Sequence, residues 1–405
     1  MNDHSQGVST LPIFKAAWIV TAVFILSNAA TPLYAHWQQS LGFASGTLTL
    51  IFGCYILGLL LTLAVAGQLA DHFGRKALLL PGIGIAIIAA LLFEHAGSVA
   101  MLMIARVLSG ISVGIVVSAG MANVVEQASE QRKPFASLIA SVSMVLGAGT
   151  GPLLAGVIAQ YLPEPVTMVF NVEIGLLVLA LLVVLRMPHR RLGSGPFRPH
   201  LPSVARKHLG VVALGVSFFG PGLTATCFVL ALGPKLLATL LQANSPLIAG
   251  SMAFVMFLTA VGVQLAAKKR AMNLIFILSG LATIAAMASL WGALQSGSAA
   301  LLVVAAMLAG AGQGLGQLGG LTLIANNIAP QRRAEANGIF NMGGYVPAGI
   351  IPVVTGYLID LFGLQRAIGV LTAVIATLAL VALSMLLRNH SKHLSPQTPR
   401  HSAHL

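Results

Sequence analysis

Residues 46–94 read GTLTLIFGCYILGLLLTLAVAGQLADHFGRKALLLPGIGIAIIAALLFE. Two long apolar runs flank a short polar segment, residues 67–76, which holds most of the charges in this stretch. A helix that crosses a bilayer needs about 20 mostly apolar residues, whereas the strands of a membrane barrel alternate apolar and polar residues over short segments. The stretch therefore predicts two transmembrane helices joined by a short polar loop.

The same pattern continues along the chain of 405 residues. Hydrophobic residues make up 57% of it and charged residues only 8%, whereas a typical soluble domain has about 25% charged residues. A soluble fold could not cover so much apolar surface, so the composition predicts an all-α integral membrane protein. The predicted transmembrane helices are twelve spans, at residues 15–36, 46–69, 77–94, 99–125, 135–160, 167–187, 208–234, 245–266, 271–292, 299–326, 335–359 and 366–387.

Basic residues mark one side of the membrane. The chain has 22 Lys and Arg residues, and most of them fall in the loops on the side of the two chain ends. Because cytoplasmic loops are enriched in Lys and Arg, both termini are predicted to lie in the cytoplasm, with the protein in the cytoplasmic (inner) membrane. The net charge of +13 is spread over short clusters beside apolar runs. This distribution indicates contact with anionic lipid and not with nucleic acid.

The chain repeats itself at an offset of 200 residues, which predicts two pseudo-symmetric six-helix bundles with the substrate between them. Residues that recur at this offset include the pairs Gly110 and Gly310, Gly114 and Gly314, Pro152 and Pro352, and Gly156 and Gly356. The predicted organisation is a cytoplasmic N-terminus at 1–14, a first bundle at 15–187, a cytoplasmic linker at 188–207, a second bundle at 208–388 and a cytoplasmic tail at 389–405.

The polar segment between spans two and three carries a motif. It reads GQLADHFGRK from Gly67 to Lys76 and includes Asp71, Gly74 and Arg75. It resembles the G-x-L-A-D-R-x-G-R-K signature of the major facilitator superfamily, with His in place of the first Arg. The resemblance implies the major facilitator fold, alternating access, and a gating role for this cluster in holding the outward-facing state. An acid at the inner end of span four is a further expected partner, and Glu126 occupies that place.

Span five carries a second motif. Gly147, Gly151, Pro152 and Gly156 are similar to the G-x-x-x-G-P-x-x-G-G pattern that the superfamily associates with antiporters, with Ala155 in place of one Gly. Small residues four apart allow close helix packing, and Pro kinks the helix. The resemblance therefore favours export over uptake.

Two charged residues within spans are candidates for proton coupling. Arg106 lies in span four, in a pattern similar to the superfamily's L-x-x-x-R-x-x-Q-G, and Glu173 lies in span six. A charge inside a membrane is costly unless it is paired or wetted, so both are expected to face the interior. A structural Arg near the outer interface and a water-exposed interfacial Glu are the alternatives. Polar residues that could line the cavity are Asn28, Thr31, Tyr34, Tyr55, Asn123, Gln313, Gln317, Asn341 and Tyr345.

The sequence contains no phosphate-binding loop, so we do not expect ATP-driven transport. It also contains no metal-ligand cluster. We therefore expect no metal, no cofactor and no enzymatic activity. The predicted function is proton-coupled antiport that exports a small neutral or amphipathic molecule, with the proton gradient as the energy source and a monomer as the working unit. Two alternatives are an uptake symporter for a small metabolite and a sensor or scaffold that transports nothing.

Overall fold

The computed structural model of the protein describes residues 10–188, 203–329 and 332–394. Most of the predicted linker and both chain ends lie outside these ranges. Twelve helices are long and apolar enough to cross a membrane, which confirms the prediction of an all-α membrane fold. They are α1 Leu11–Leu41, α2 Ser45–Leu63, α3 Arg75–Glu94, α4 Val99–Glu126, α5 Glu130–Tyr161, α6 Pro165–Leu185, α7 Arg206–Leu241, α8 Pro246–Ala267, α9 Met272–Ser296, α10 Ala299–Asn327, α11 Arg333–Phe362 and α12 Leu364–Arg388.

The second span ends earlier than its hydropathy predicts. Helix α2 stops at Leu63, and a separate short helix, Ala66–Phe73, holds most of the signature motif. Ala66 and Ala70 are buried in this helix while Asp71 is exposed, so it packs one face against the bundle and turns the other outward, like helices at a membrane interface. Gly74 follows with φ +90°, a backbone conformation that favours glycine, and α3 begins at the next residue.

The sequence repeat corresponds to repeated packing. A Cβ atom added at Gly110 of α4 would overlap the backbone carbonyl of Tyr55 on α2. The equivalent Gly310 of α10 meets the backbone carbonyl of Met256 on α8 in the same way. Backbones can approach this closely only where a side chain is absent. The two bundles, α1–α6 and α7–α12, therefore pack their second and fourth helices by the same device.

The two bundles meet along two related seams, one between α5 and α8 and the other between α2 and α11. On the first seam, a Cβ atom at Gly156 would lie 2.5 Å from the carbonyl oxygen of Pro246. On the second, a Cβ atom at Gly356 would lie 2.8 Å from the carbonyl oxygen of Ser45. Both contacts lie near the ends of the helices that point away from the Arg75–Lys76 loop. We call the end that carries this loop the basic side and the opposite end the far side.

Candidate functional site

Arg106 of α4 is fully buried inside the first bundle. Its Nε donates to the hydroxyl of Tyr34, and its Nη1 donates to the carbonyl oxygen of Ser27 at 2.6 Å. Its guanidinium carbon lies 5.1 Å from the ring centre of Tyr34, 5.7 Å from that of Phe52 and 5.5 Å from that of Phe93. The charge is therefore held by aromatic faces and a backbone carbonyl and not by lipid.

This arginine has no carboxylate partner within salt-bridge distance in the described part of the chain. Its Nη2 also has no hydrogen-bond acceptor there. Burying a guanidinium without a counter-charge costs on the order of several kcal/mol, even after local relaxation. Arg106 thus keeps one donor group free for an additional acceptor, such as a carboxylate or a bound molecule.

Glu173 of α6 is the matching acidic feature. Its side chain is fully buried, and neither of its carboxylate oxygens has a hydrogen-bond partner among the described residues. One turn earlier on α6, the ring of Phe170 stacks on that of Phe93 with the centres 5.1 Å apart. Phe93 in turn faces the guanidinium of Arg106. An aromatic stack therefore contacts Arg106 at one end and lies one helical turn from Glu173 at the other, and both groups have unsatisfied polar atoms in the described part of the chain.

The signature motif forms an ion-pair cluster on the basic side. Arg75 Nη2 lies 2.9 Å from Asp71 Oδ1 and 3.0 Å from Glu126 Oε1. Arg75 Nε also donates to Glu126 at 3.1 Å. One guanidinium thus joins the short helix, the start of α3 and the end of α4, and brings together the three charged residues that the resemblance grouped.

Lys76, the last residue of the motif, contacts a different helix. Its Nζ donates to the carbonyl oxygens of Leu185 and Met187, each at 2.7 Å. These carbonyls end α6 and lack intrahelical partners, so a cation there also complements the helix dipole. All of these contacts of the motif stay within the first bundle. In contrast, Gly67 has open space around its Cα and is not required by packing.

Helix α5 packs on two neighbours through the residues of the antiporter-like motif. A Cβ atom at Gly147 would lie 2.6 Å from the carbonyl oxygen of Thr21, and one at Gly151 would overlap the carbonyl of Ile25, both on α1. On its other face, the carbonyl of Pro152 fills the place that a side chain of Gly250 on α8 would occupy. The motif therefore joins α1 of its own bundle to α8 of the other bundle.

A polar cluster closes the far side between the bundles. The Asp360 carboxylate at the end of α11 accepts hydrogen bonds from the backbone N–H groups of Ser45, at 3.0 Å, and Gly46, at 2.6 Å. Lys235 of α7 donates to the Ser45 hydroxyl. A carboxylate at the start of a helix satisfies otherwise unpaired N–H groups and complements the dipole. We call Asp360, Lys235 and Ser45 the far-side latch.

A family model described as Major Facilitator Superfamily matches residues 17–295 and 211–405. The chain belongs to the Major Facilitator Superfamily. The resemblance seen in the motifs is thereby confirmed, and the chain is a multi-pass membrane protein of this superfamily.

The relatives of this superfamily member include one that is named as an export protein. An uncharacterized transporter of Rickettsia felis is 32% identical over 171 residues, which are 41% of this chain and 42% of that protein. The cephamycin export protein CmcT of Amycolatopsis lactamdurans is 28% identical over 44% of this chain and 38% of that protein. The putative multidrug resistance protein MdtD of Salmonella paratyphi B is 24% identical over 50% and 43% of the two chains. These alignments span less than half of each relative's own length.

Solved structures show the same fold. The nucleoside transporter NupG superposes with a TM-score of 0.73 at 14% identity, over 93% of this chain and 99% of that one. A bacterial homologue of the human lysosomal transporter Spinster, in an inward-facing and occupied conformation, superposes with a TM-score of 0.75 at 13% identity, over 97% and 100% of the two chains.

The predicted cavity residues of the first bundle fall in different places. Asn28 is buried and donates to the carbonyl of Ala148 at 3.4 Å, which is a contact between helices. Thr31 is buried with an unpartnered hydroxyl, and Tyr34 contacts Arg106. Asn123 lies near the basic side, where its side-chain oxygen accepts a hydrogen bond from Gln127 at 3.2 Å.

The remaining candidates lie closer to the boundary between the bundles. Tyr55 of α2 and Tyr345 of α11 are close enough to interact electrostatically, and Cys227 of α7 lies within electrostatic range of both. Gln317 accepts a hydrogen bond from Gln264 at 3.4 Å. Two further candidates lie in the second bundle: Gln313, whose buried side-chain oxygen has no partner among the described residues, and the half-buried Asn341.

Sequence reasoning missed the latch partners Ser45 and Lys235 and two of the aromatic rings around Arg106, those of Phe52 and Phe93. Lys235 did carry a signal, because it is one of the few basic residues on the far side. A positive charge on the side of the membrane that has few basic residues is expected to make a specific contact. Lys235 makes one by donating a hydrogen bond to the Ser45 hydroxyl. Phe52 and Phe93 carried no such signal, since aromatic residues are common in membrane helices.

Proposed function

We propose that this transporter exports a small neutral or amphipathic molecule in exchange for protons, with Arg106 and Glu173 as the coupling groups. The observation that carries the proposal is the presence of two fully buried ionisable side chains with unsatisfied polar atoms in one bundle. Such groups are expensive to retain in a membrane and mark proton and ion pathways. The basic side is the cytoplasmic side in this proposal, with the protein a monomer in a bacterial inner membrane.

Proton coupling requires a group that alternates between a protonated and a paired state. Among the described residues, Glu173 has no hydrogen-bond partner that would hold it in one state, and Arg106 has a free donor and no carboxylate partner. The stacked rings of Phe93 on α3 and Phe170 on α6 connect the surroundings of Arg106 with those of Glu173. A shift of that stack would allow the two groups to communicate through water or a bound molecule.

Two observations support the direction of transport. The Gly–Pro motif of α5 lies at the junction of α1 and α8, where one bundle must move against the other during alternating access. Two relatives carry the printed names of an export protein and a putative multidrug resistance protein. The few charges near the bundle boundary suit a neutral or amphipathic substrate better than a strongly anionic one.

In this proposal, the far-side latch indicates which state of the transport cycle the described structure corresponds to. Closure between α2 and α11 on that side is expected when the substrate path opens toward the basic side. Export then needs the latch to open. The Arg75 cluster is formed in the same structure, and its contacts lie within the first bundle, so they do not by themselves join the two bundles on the basic side.

The test uses everted membrane vesicles energised to acidify the lumen, with a pH-sensitive dye and a panel of neutral and amphipathic compounds. We expect at least one compound to dissipate the pH gradient only when the protein is present. Glu173→Gln and Arg106→Ala should abolish the response, while the control Glu94→Gln should retain it. A response that survives in both coupling variants would contradict their assigned role. Substrate accumulation driven by a gradient in the uptake direction would contradict export.

A further inference from the structure

A second site lies on the basic side, outside the boundary between the bundles. A cavity of about 460 Å³ opens there between the start of α1, the end of α4 and the end of α6. Lys15 of α1 and Arg186 after α6 both line it, and neither has an ion-pair partner in the described ranges. Two cations without an ion-pair partner among the described residues therefore share one cavity.

The other walls of this cavity are amphipathic. Trp18 of α1 contributes an indole ring, which is a preferred side chain at the level of lipid headgroups. Leu179 and Leu182 of α6 line the cavity and are 53% and 46% exposed, so they face the acyl chains of the bilayer. Asn123 and Gln127 of α4 add polar groups at the inner wall.

The cavity is also a built feature of the fold. The hydrogen bonds from Lys76 to the carbonyl oxygens of Leu185 and Met187 fix the end of α6, and Met187 is itself part of the cavity wall. The signature motif therefore holds one wall in place while the charges of Lys15 and Arg186 stay available. A binding event here would contact the same helix end that Lys76 holds.

We infer that this cavity binds the headgroup of one anionic phospholipid, with the phosphate beside Lys15 and Arg186 and an acyl chain along Leu179 and Leu182. The charge pattern, the interfacial Trp18 and the lipid-facing leucines match this ligand at both of its ends. A soluble phosphate compound would use only the cationic half, and a zwitterionic lipid would bring a positive group among the cations. The inference does not depend on which molecule the transporter moves.

Trp18 makes the inference testable by fluorescence. The chain has three Trp residues, so Trp37→Phe together with Trp291→Phe leaves Trp18 as the single reporter. This variant is reconstituted in bilayers that contain brominated phosphatidylglycerol or brominated phosphatidylcholine at equal mole fractions. Bromine quenches the indole only in contact, and we expect stronger quenching by the anionic lipid.

The charge variant and its control isolate the site. Each cation near a lipid surface strengthens attraction of an anionic headgroup by about fivefold, so Lys15→Gln with Arg186→Gln should weaken the apparent affinity for phosphatidylglycerol by about tenfold or more. The matched control removes two basic-side cations of the other bundle, by Lys268→Gln and Lys269→Gln, and should leave quenching unchanged. Equal quenching by the two lipids, or an equal loss in the control, would overturn the inference.

A competitor separates a lipid from a soluble phosphate. Millimolar glycerol phosphate should leave the quenching by phosphatidylglycerol unchanged, and its displacement of the lipid would overturn the assignment to lipid. If the double Trp variant does not fold, native mass spectrometry of the otherwise unaltered chain replaces it. One phosphatidylglycerol should then remain bound under conditions that strip phosphatidylcholine, and Lys15→Gln with Arg186→Gln should release it. Equal retention of both lipids would refute the site.

Discussion

Removal of the Asp360 carboxylate should open the far side of the transporter. In the structure this carboxylate accepts two hydrogen bonds from backbone N–H groups at the start of α2 in the opposite bundle, at 3.0 and 2.6 Å. Hydrogen bonds to a charged group contribute about 1.5–3 kcal/mol each when buried, and loss of a helix cap costs about 0.5–2 kcal/mol. Asp360 is exposed, so the lower end of these ranges applies.

We therefore expect Asp360→Ala to destabilise the far-side-closed state by about 2 kcal/mol, which shifts its population against the open state by about thirtyfold. Asp360→Asn keeps one acceptor oxygen but loses the charge, so we expect a smaller shift of about fivefold, corresponding to about 1 kcal/mol. The order of the two variants follows from the capping geometry, because Ala removes both acceptors.

The assay is a distance measurement between spin labels on the far side of the two bundles. Labels at Gln39, near the end of α1, and Ala243, after α7, report their separation in a background with Cys54→Ser and Cys227→Ser. We expect the longer-distance population to increase in the order wild type, Asp360→Asn, Asp360→Ala. An unchanged distribution in Asp360→Ala would refute the reasoning, as would an equal shift in Glu94→Gln, which removes a far-side acid outside the latch.

Three further predictions follow from the packing and the basic-side contacts. Gly151→Leu should insert in the membrane but lose transport, because its side chain would overlap the backbone of α1 at Ile25; retained export at wild-type protein levels would argue against the motif's role. Gly310→Val should lower the thermal midpoint through overpacking of about 1–3 kcal/mol, whereas Gly262→Val, with open space around it, should not. Lys76→Ala should speed hydrogen exchange at the end of α6 by removing two charged hydrogen bonds, while Lys133→Ala, which breaks a pair with exposed Glu130, should have no such effect.

Hydropathy predicted the fold well because a bilayer imposes a strong physical constraint. Backbone groups in hydrocarbon must be bonded within the same segment, so a long apolar run has little choice but to be a helix. The number of spans was predicted on this basis, whereas the two-bundle organisation was predicted from the repeat at an offset of 200 residues and the superfamily from the motifs that resemble it. The end of α2 was less well predicted. The amphipathic helix Ala66–Phe73 contains enough apolar residues to resemble a continuation of the span, but in the structure it is a separate helix.

The sequence by itself determined the types of residue at the candidate site: a charged Arg106, an acidic Glu173, and glycines at repeated positions. The resemblance of the motif also grouped Arg75 with Asp71 and with Glu126 at the inner end of span four, and the structure pairs these three residues.

Only the tertiary structure decided which groups meet across distant parts of the chain. The contact of Asp360 with the start of α2 spans more than 300 positions, and the aromatic rings around Arg106 come from three other helices. Membrane helices pack through shape and local polar contacts, because lipid removes the hydrophobic drive that would otherwise favour one arrangement. A single sequence therefore shows which side chains need a partner, and the packing of the helices determines which partner each one finds.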